Sequence, residues 1–305
     1  MYICKMLQNV KLLLSEQSQI CFVFLVLFVV SCTERIEIAT KDAPPRLAIY
    51  GYITTDTLQH SIRITRSAGY FSTDAPEGIS NASVTISTDD TVIILSENDE
   101  IPGLYQTDAN VYGVCGKTYT LDISLDFDND NVPEHYQSSA YLTNINHIDS
   151  ISLQPSPIFK SFVEILLYAQ DEPEENYYSI FVSINDSVIN STINDFFILD
   201  DMYFNGMYMN GVLCFYLDQE EEEERLHVGD KVTLNINAIP KEYAVFINNV
   251  RSELRGQNPI FGGPPANVET NIRCVDPQNA IPVSGFFTAY PSRYTSTTVR
   301  KEFAK

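Results

Sequence analysis

Basic residues are scarce in this chain: 19 lysines and arginines stand against 40 aspartates and glutamates, a formal charge of −21 over 305 residues. Such a surface repels nucleic acid and anionic lipid, which argues against both as partners. Histidine is rarer still. His60, His135, His147 and His227 are scattered, with no i,i+4 or ligand-like spacing, so no zinc site is legible. Also missing are the motifs that place a nucleophile, a base or a phosphate cradle: G-x-S-x-G, H-E-x-x-H, paired C-x-x-C, G-x-G-x-x-G and the P-loop. Without a placed base or nucleophile no reaction class can be argued, and the chain reads as a non-enzyme. Cysteine is equally thin. Cys4, Cys21 and Cys32 lie at the N-terminus, leaving Cys115, Cys214 and Cys274 for the body. Three thiols form at most one bridge, so this is not a disulfide scaffold and a packed core must carry the stability.

The longest apolar run is Ile20 to Val30, with Lys5 and Lys11 upstream. A basic stretch followed by an apolar core of roughly 7–15 residues is the pattern of a signal peptide, whereas a membrane span needs about 20. Val29-Val30-Ser31-Cys32 then matches a bacterial lipobox: branched apolar residues, a small residue and Cys. The expectation is cleavage after residue 31 and a lipid anchor on Cys32, which places the protein at the outer membrane. Residues 1–31 carry Lys5, Lys11 and Glu16, so their removal takes the formal charge from −21 to −22. Residues 32–45 end in Pro44-Pro45 and read as a tether.

From Arg46 onward the pattern is β. Leu47, Ile49, Gly51 and Ile53 alternate with Ala48, Tyr50 and Tyr52; Tyr119, Leu121, Ile123 and Leu125 alternate with polar residues. A period of two means one buried and one wet face. Asp89-Asp90, Pro102-Gly103 and Cys115-Gly116 supply turns between runs. Short strands so spaced suggest an immunoglobulin-like β-sandwich over residues 46–145. A second β-rich domain is expected over 146–305, with strands near 162–168, 177–184, 207–217, 231–238 and 285–290. It carries one amphipathic helix at 240–255, started by Pro240, striped by Tyr243, Phe246, Ile247, Val250 and Leu254, and stopped by Gly256.

Three segments invite a functional reading. Asp126-Phe127-Asp128-Asn129-Asp130-Asn131 sets alternate carboxylates in a tight loop, as calcium requires, with Glu134 beyond and Asn131 able to take φ > 0. The glutamate of a full calcium loop is missing, since Gln137 stands there, and a polar hairpin tip explains the same residues. The run Glu220 to Glu224 repels itself and reads as a solvated loop. Residues 196–216 concentrate aromatics and methionines, and Tyr203, Phe204 and Tyr208 are the expected partner or ligand face, although an ordinary β core has similar density.

The ordered landmarks resemble a known family. They are the lipobox, RLAIYGYITTD (46–56), SIRITRSAGYFS (61–72), ISNASVTIS (79–87), PGLYQTDANVYGVCGKTYTLDIS (102–124), EENYYSIFV (174–182), PKEYAVFINNV (240–250), PPANVETNI (264–272) and GFFTAY (285–290). Together they are similar to the Bacteroidota envelope lipoproteins grouped as domain of unknown function 4249. The resemblance implies an immunoglobulin-like sandwich, a second β-rich part, and a role as an accessory binding component beside a TonB-dependent outer-membrane transporter; it supplies no catalytic residues to carry over. A structural or adhesive surface lipoprotein with a spacer sandwich is the alternative.

Overall fold

Strand-forming alternation begins at once in the computed structural model, which describes residues 46–67, 75–128, 130–255, 268–275 and 281–301. The signal segment, Cys32, the tether, Gly256 and most of the Gly/Pro-rich loop that follows it lie outside these residues. The protein is mainly β, as expected. The first strands are β1 (Leu47–Thr54), β2 (Ser61–Arg66), β3 (Glu77–Gly78), β4 (Ser83–Ser87), β5 (Val92–Glu97), β6 (Leu104–Gln106), β7 (Thr118–Leu125) and β8 (Glu134–Tyr141). The middle of the chain adds β9 (Ile148–Pro155), β10 (Phe162–Gln170), β11 (Tyr177–Ile184), β12 (Ser187–Val188), β13 (Phe197–Asp200), β14 (Tyr208–Asp218) and β15 (Lys231–Ile239). Helix α1 (Lys241–Arg255) follows, then β16 (Arg273–Cys274), β17 (Val283–Tyr290) and β18 (Ser292–Thr298).

The first eight strands do not close a body by themselves. Their sheet runs β16-β8-β7-β4-β5-β6-β2-β1-β17, with β3 beside β2, so both edges come from the end of the chain. Strand β17 lies parallel to β1 in unbroken register, from Leu47 opposite Val283 to Thr54 opposite Tyr290. The strand pairing therefore does not follow a boundary at 145/146, because residues 273–274 and 283–290 complete the N-terminal sheet. The physical reason is the edge of β1: a row of unpaired peptide groups beside fully buried Leu47, Ile49 and Ile53 needs a partner strand.

The sheet rolls around one core, to which Ile62, Ile86, Leu121, Tyr136 and Phe287 contribute from five different strands. Asn271 brings its two edges together. Its amide accepts the Phe287 N–H (3.0 Å) and donates to the Phe287 carbonyl (2.7 Å), while its own carbonyl accepts from the Ser138 hydroxyl (3.1 Å). The side chain thus stands in for a strand's peptide group between β17 and β8.

The second body is a sandwich. A sheet ordered β14-β10-β9 faces one ordered β12-β11-β15-β18, with β13 beside β11. Ile165, Leu167, Ile180, Val182, Cys214, Leu234 and Ile236 fill the space between them. Only Pro291 separates β17 from β18, so one extended run belongs to the first sheet and then to the second. All described residues fall in one compact unit, 44–305.

Candidate functional site

The outward face of β1 is where sequence and site meet. With Leu47, Ile49 and Ile53 turned into the core, alternation sends Tyr50 and Tyr52 to the other side. Strand β17 adds Phe286 and Tyr290 there, and α1 lays Tyr243, Ala244 and Ile247 across them. The helix forms as expected. Pro240 opens it, its carbonyl accepting the N–H groups of Tyr243 and Ala244, and Glu242 and Arg255 suit the two ends of the dipole. The stripe is shorter than its periodicity implies: Val250 is half-buried and Leu254 is 45% exposed. The rings interlock. Tyr52 stacks on Tyr290 (5.6 Å between centroids), and Phe286 lies 5.4 Å from Tyr243 and 5.0 Å from Phe246.

Beside this cluster a groove of about 620 Å³ opens between α1, β1 and the outer face of the second sandwich. Phe246, Ile247 and Val250 form one wall, Tyr50 and Tyr52 the base, and Phe181, Phe196 and Tyr294 the other side. Phe181 and Phe196 meet edge to face at 4.8 Å. Among the described residues the lining includes no aspartate, glutamate, lysine, arginine, histidine or cysteine; the polar groups are tyrosine hydroxyls, Ser183, Ser191 and Asn235. The Tyr50 and Tyr243 hydroxyls share a hydrogen bond of 2.6 Å, and Tyr294 donates to Asp56 at 2.6 Å. Burial pushes the Tyr50 hydroxyl up to about 12, with the Tyr243 bond working the other way. Burial likewise raises Tyr52 and Tyr294, each reinforced by the nearby Asp56. At neutral pH these hydroxyls are uncharged. As far as the described residues line it, the groove is an uncharged, aromatic recess on a strongly acidic protein.

The sites expected from the sequence fare differently. Asp126, Asp128 and Asp130 converge, with ligand oxygens within 4.8 Å of one another. Those oxygens also hold the turn. Asp126 accepts the N–H groups of Asp130 (3.1 Å) and Asn131 (3.0 Å), and Asp130 accepts that of Val132 (2.7 Å). Asn131 takes φ 68°, as its tolerance of positive φ suggested. Glu134 does not join the aspartates. It is 3% exposed and accepts the Phe127 N–H at 2.9 Å, because β8 turns it inward at the neck of the hairpin. Phe127 anchors the same hairpin in the core, under the Arg66 guanidinium at 4.0 Å.

Tyr203, Phe204 and Tyr208 do not form one face. Tyr203 is 84% exposed and Tyr208 is also exposed, donating to Asp149 at 2.7 Å, but Phe204 packs into the sandwich core. The turn that separates them is clamped by two buried carboxylates. Asp171 accepts from the Tyr178 hydroxyl (2.7 Å) and the Gly206 N–H (3.0 Å), and Asp201 accepts the Asn176 N–H (2.8 Å). Burial holds the Asp171 carboxyl above the usual carboxylate value, opposed by those hydrogen bonds. In the glutamate run, Glu220 to Glu223 are exposed, but Glu224 folds back to accept the Asp218 N–H at 2.7 Å. Cys115 and Cys214 are free thiols, Cys214 buried in the sandwich core.

The groove went unnoticed as a site because its residues come from β1, β11, the segment before β13, β15, α1 and β18. The signal was nonetheless present: tyrosines at both middle positions of the face of β1 assigned to water.

Among the described residues no helix is long and apolar enough to cross a membrane. A search of curated proteins finds no match to the chain. A family model does match, over residues 33–296, and with nearly the whole body covered the chain belongs to the family described as Domain of unknown function (DUF4249).

Proposed function

We propose that this protein is a non-enzymatic lipoprotein of the cell envelope. It is held at the outer membrane through Cys32 and serves as an accessory binding component of a TonB-dependent transporter. The observation that carries the binding role is the aromatic groove, whose described residues offer a ligand apolar walls and a few fixed hydrogen-bonding groups and include no nucleophile–base pair. The anchor rests on the lipobox and the transporter on the family resemblance. Two measurements test it. Mass spectrometry of the native protein should find an acylated N-terminal Cys32, and solubilised outer membrane should yield the protein in stoichiometric complex with a β-barrel receptor. An unmodified thiol, or binding to cells or matrix with no receptor, would replace this reading with that of an adhesive or spacer protein.

A further inference from the structure

The two sheets of the sandwich treat their outward faces differently. On β15 the outward positions are Thr233, Asn235 and Asn237, as a face turned to water requires. On β10, in the opposite sheet, Val163, Ile165, Leu167 and Ala169 fill the core, and the outward positions are Phe162, Glu164, Leu166 and Tyr168. Strand β14 sets Tyr216 opposite Glu164 and Leu213 opposite Leu166. Glu164, the carboxylate within this strip, is buried and accepts the Gln154 amide at 2.8 Å. Phe162, Leu166, Leu213 and Tyr216 are only half-buried, and none of them belongs to the sandwich core. The strip continues past the end of the strand. Phe159, Phe162 and Tyr216 meet edge to face with centroids 5.7 to 6.1 Å apart, and at the hairpin tip Ile158 is 72% and Phe159 50% exposed. A strand apolar on both faces, one of them half open, marks a surface that another molecule covers.

The turn after β14 says what kind of molecule. Asp218 stands opposite Phe162, and the Gln219 N–H donates to the Ser161 carbonyl at 2.8 Å, which sets residues 220–224 beside the hairpin tip. The run is held in place. The buried Gln219 side chain donates to the carbonyls of Leu217 and Glu224 and accepts the Leu226 N–H. Glu220 to Glu223 are exposed and form no ion pair among the described residues. The cations of these two loops are Lys160 and Arg225, two against four, and Arg225 donates to the carbonyls of Gln219 and Glu220. An apolar strip with uncompensated negative charge at one end complements apolar side chains carried next to positive ones.

We infer that this outward strip docks a cationic amphipathic segment of a partner protein, its apolar side chains over Phe159, Phe162, Leu166, Leu213 and Tyr216 and its lysines or arginines toward Glu220 to Glu223. The strip lies on the sheet opposite the one that lines the groove, so this inference does not depend on the groove being a binding site. The chain has no tryptophan, so a leucine–lysine peptide carrying one tryptophan reports its own burial. Residues 44–305, one compact unit, can be tested without the lipid. At physiological salt the peptide's emission should shift to the blue on binding, and the same peptide with serine for leucine should bind about ten-fold more weakly or worse. Leu166→Thr with Leu213→Thr should weaken the leucine–lysine peptide by about ten-fold. Glu220→Gln, Glu221→Gln, Glu222→Gln and Glu223→Gln together should weaken it by about as much, and these exposed positions keep the test sound where the threonine variant fails to fold. Removing four carboxylates from the rolled sheet, as Asp89→Asn, Asp99→Asn, Glu100→Gln and Asp108→Asn, should change affinity by less than about two-fold. No blue shift, or equal binding of the serine peptide, would overturn the strip as the contact. Equal losses from the two four-carboxylate variants would overturn the acidic run as the feature that selects a cation. Binding to phosphatidylethanolamine vesicles that the threonine variant abolishes would overturn the partner protein in favour of a lipid surface, and a dimer in sedimentation velocity that it abolishes would do so in favour of a second copy.

Discussion

The two β bodies are built from the chain in opposite ways. The second sandwich takes β9 to β15 in one stretch and borrows only β18, and its neighbours pair antiparallel. The rolled sheet takes its first eight strands from the start of the body and then waits, through β9 to β15 and α1, for β16 and β17, the latter in parallel. A body finished by distant strands pays loop closure before any reward and is expected to form late. Its integrity also becomes hostage to the last part of the sequence.

The severest way to break the comparison is to cut it. A fragment of residues 46–145 leaves the β1 edge bare and removes Phe287 and Ala289 from the core, so it should show no cooperative thermal transition by circular dichroism. A folded, cooperative fragment would make the rolled sheet independent after all. Next comes a point change at the crossing itself. Gly285 has φ +106°, and an added Cβ would lie 1.8 Å from the Ile49 carbonyl oxygen. Gly285→Val should therefore lose about 3 kcal/mol or more in chemical denaturation. Gly229, with φ +97° and open space around it, should lose only about 1 kcal/mol as Gly229→Ala.

Smaller effects sharpen the contrast. Asn271→Ala strands the Phe287 peptide and should cost about 2 kcal/mol, with faster hydrogen exchange at the Phe287 amide while β15 amides stay protected. In the sandwich, the raised Asp171 carboxyl binds its proton more tightly folded than unfolded. Its contribution to stability falls as pH rises from the ordinary carboxylate value, near 4, through the raised one, and is level above that. Asp171→Asn should flatten that part of the profile; an unchanged slope would mean that the carboxylate clamp does not titrate in the fold. Least of all, Asp126→Ala frees two turn amides and should lower stability by about 1 kcal/mol or less in EDTA. The same protein with calcium added separates turn from metal: a rise in melting temperature that Asp128→Ala abolishes assigns a cation site, and equal values leave a hairpin.

Much of the fold was legible where one face is apolar. Strands β1, β2, β4, β7, β11 and β15 show their alternation directly, and α1 its stripe. Strand β8, EHYQSSAY, and β18, SRYTSTT, were not legible. Their inward positions include Glu134, Ser138 and Ser292, buried because hydrogen bonds satisfy them, and hydrophobic pattern cannot register that. The return of β17 to β1 was hidden for another reason: GFFTAY reads as a strand, but nothing local names its partner. The aspartate hairpin was seen from spacing alone, apart from the inward turn of Glu134. The groove was not, since no segment contributes enough of it to stand out.

The parallel pairing of β1 with β17 has a mechanical consequence. Traction applied to β1 at its Leu47 end runs along that strand's axis. Eight residues paired with β17 on one flank and five with β2 on the other lie across this line and carry the load together in shear, instead of parting one after another as at a peeled hairpin end. A body suspended by its N-terminus from a moving surface would thus be gripped at a seam that yields only as a whole.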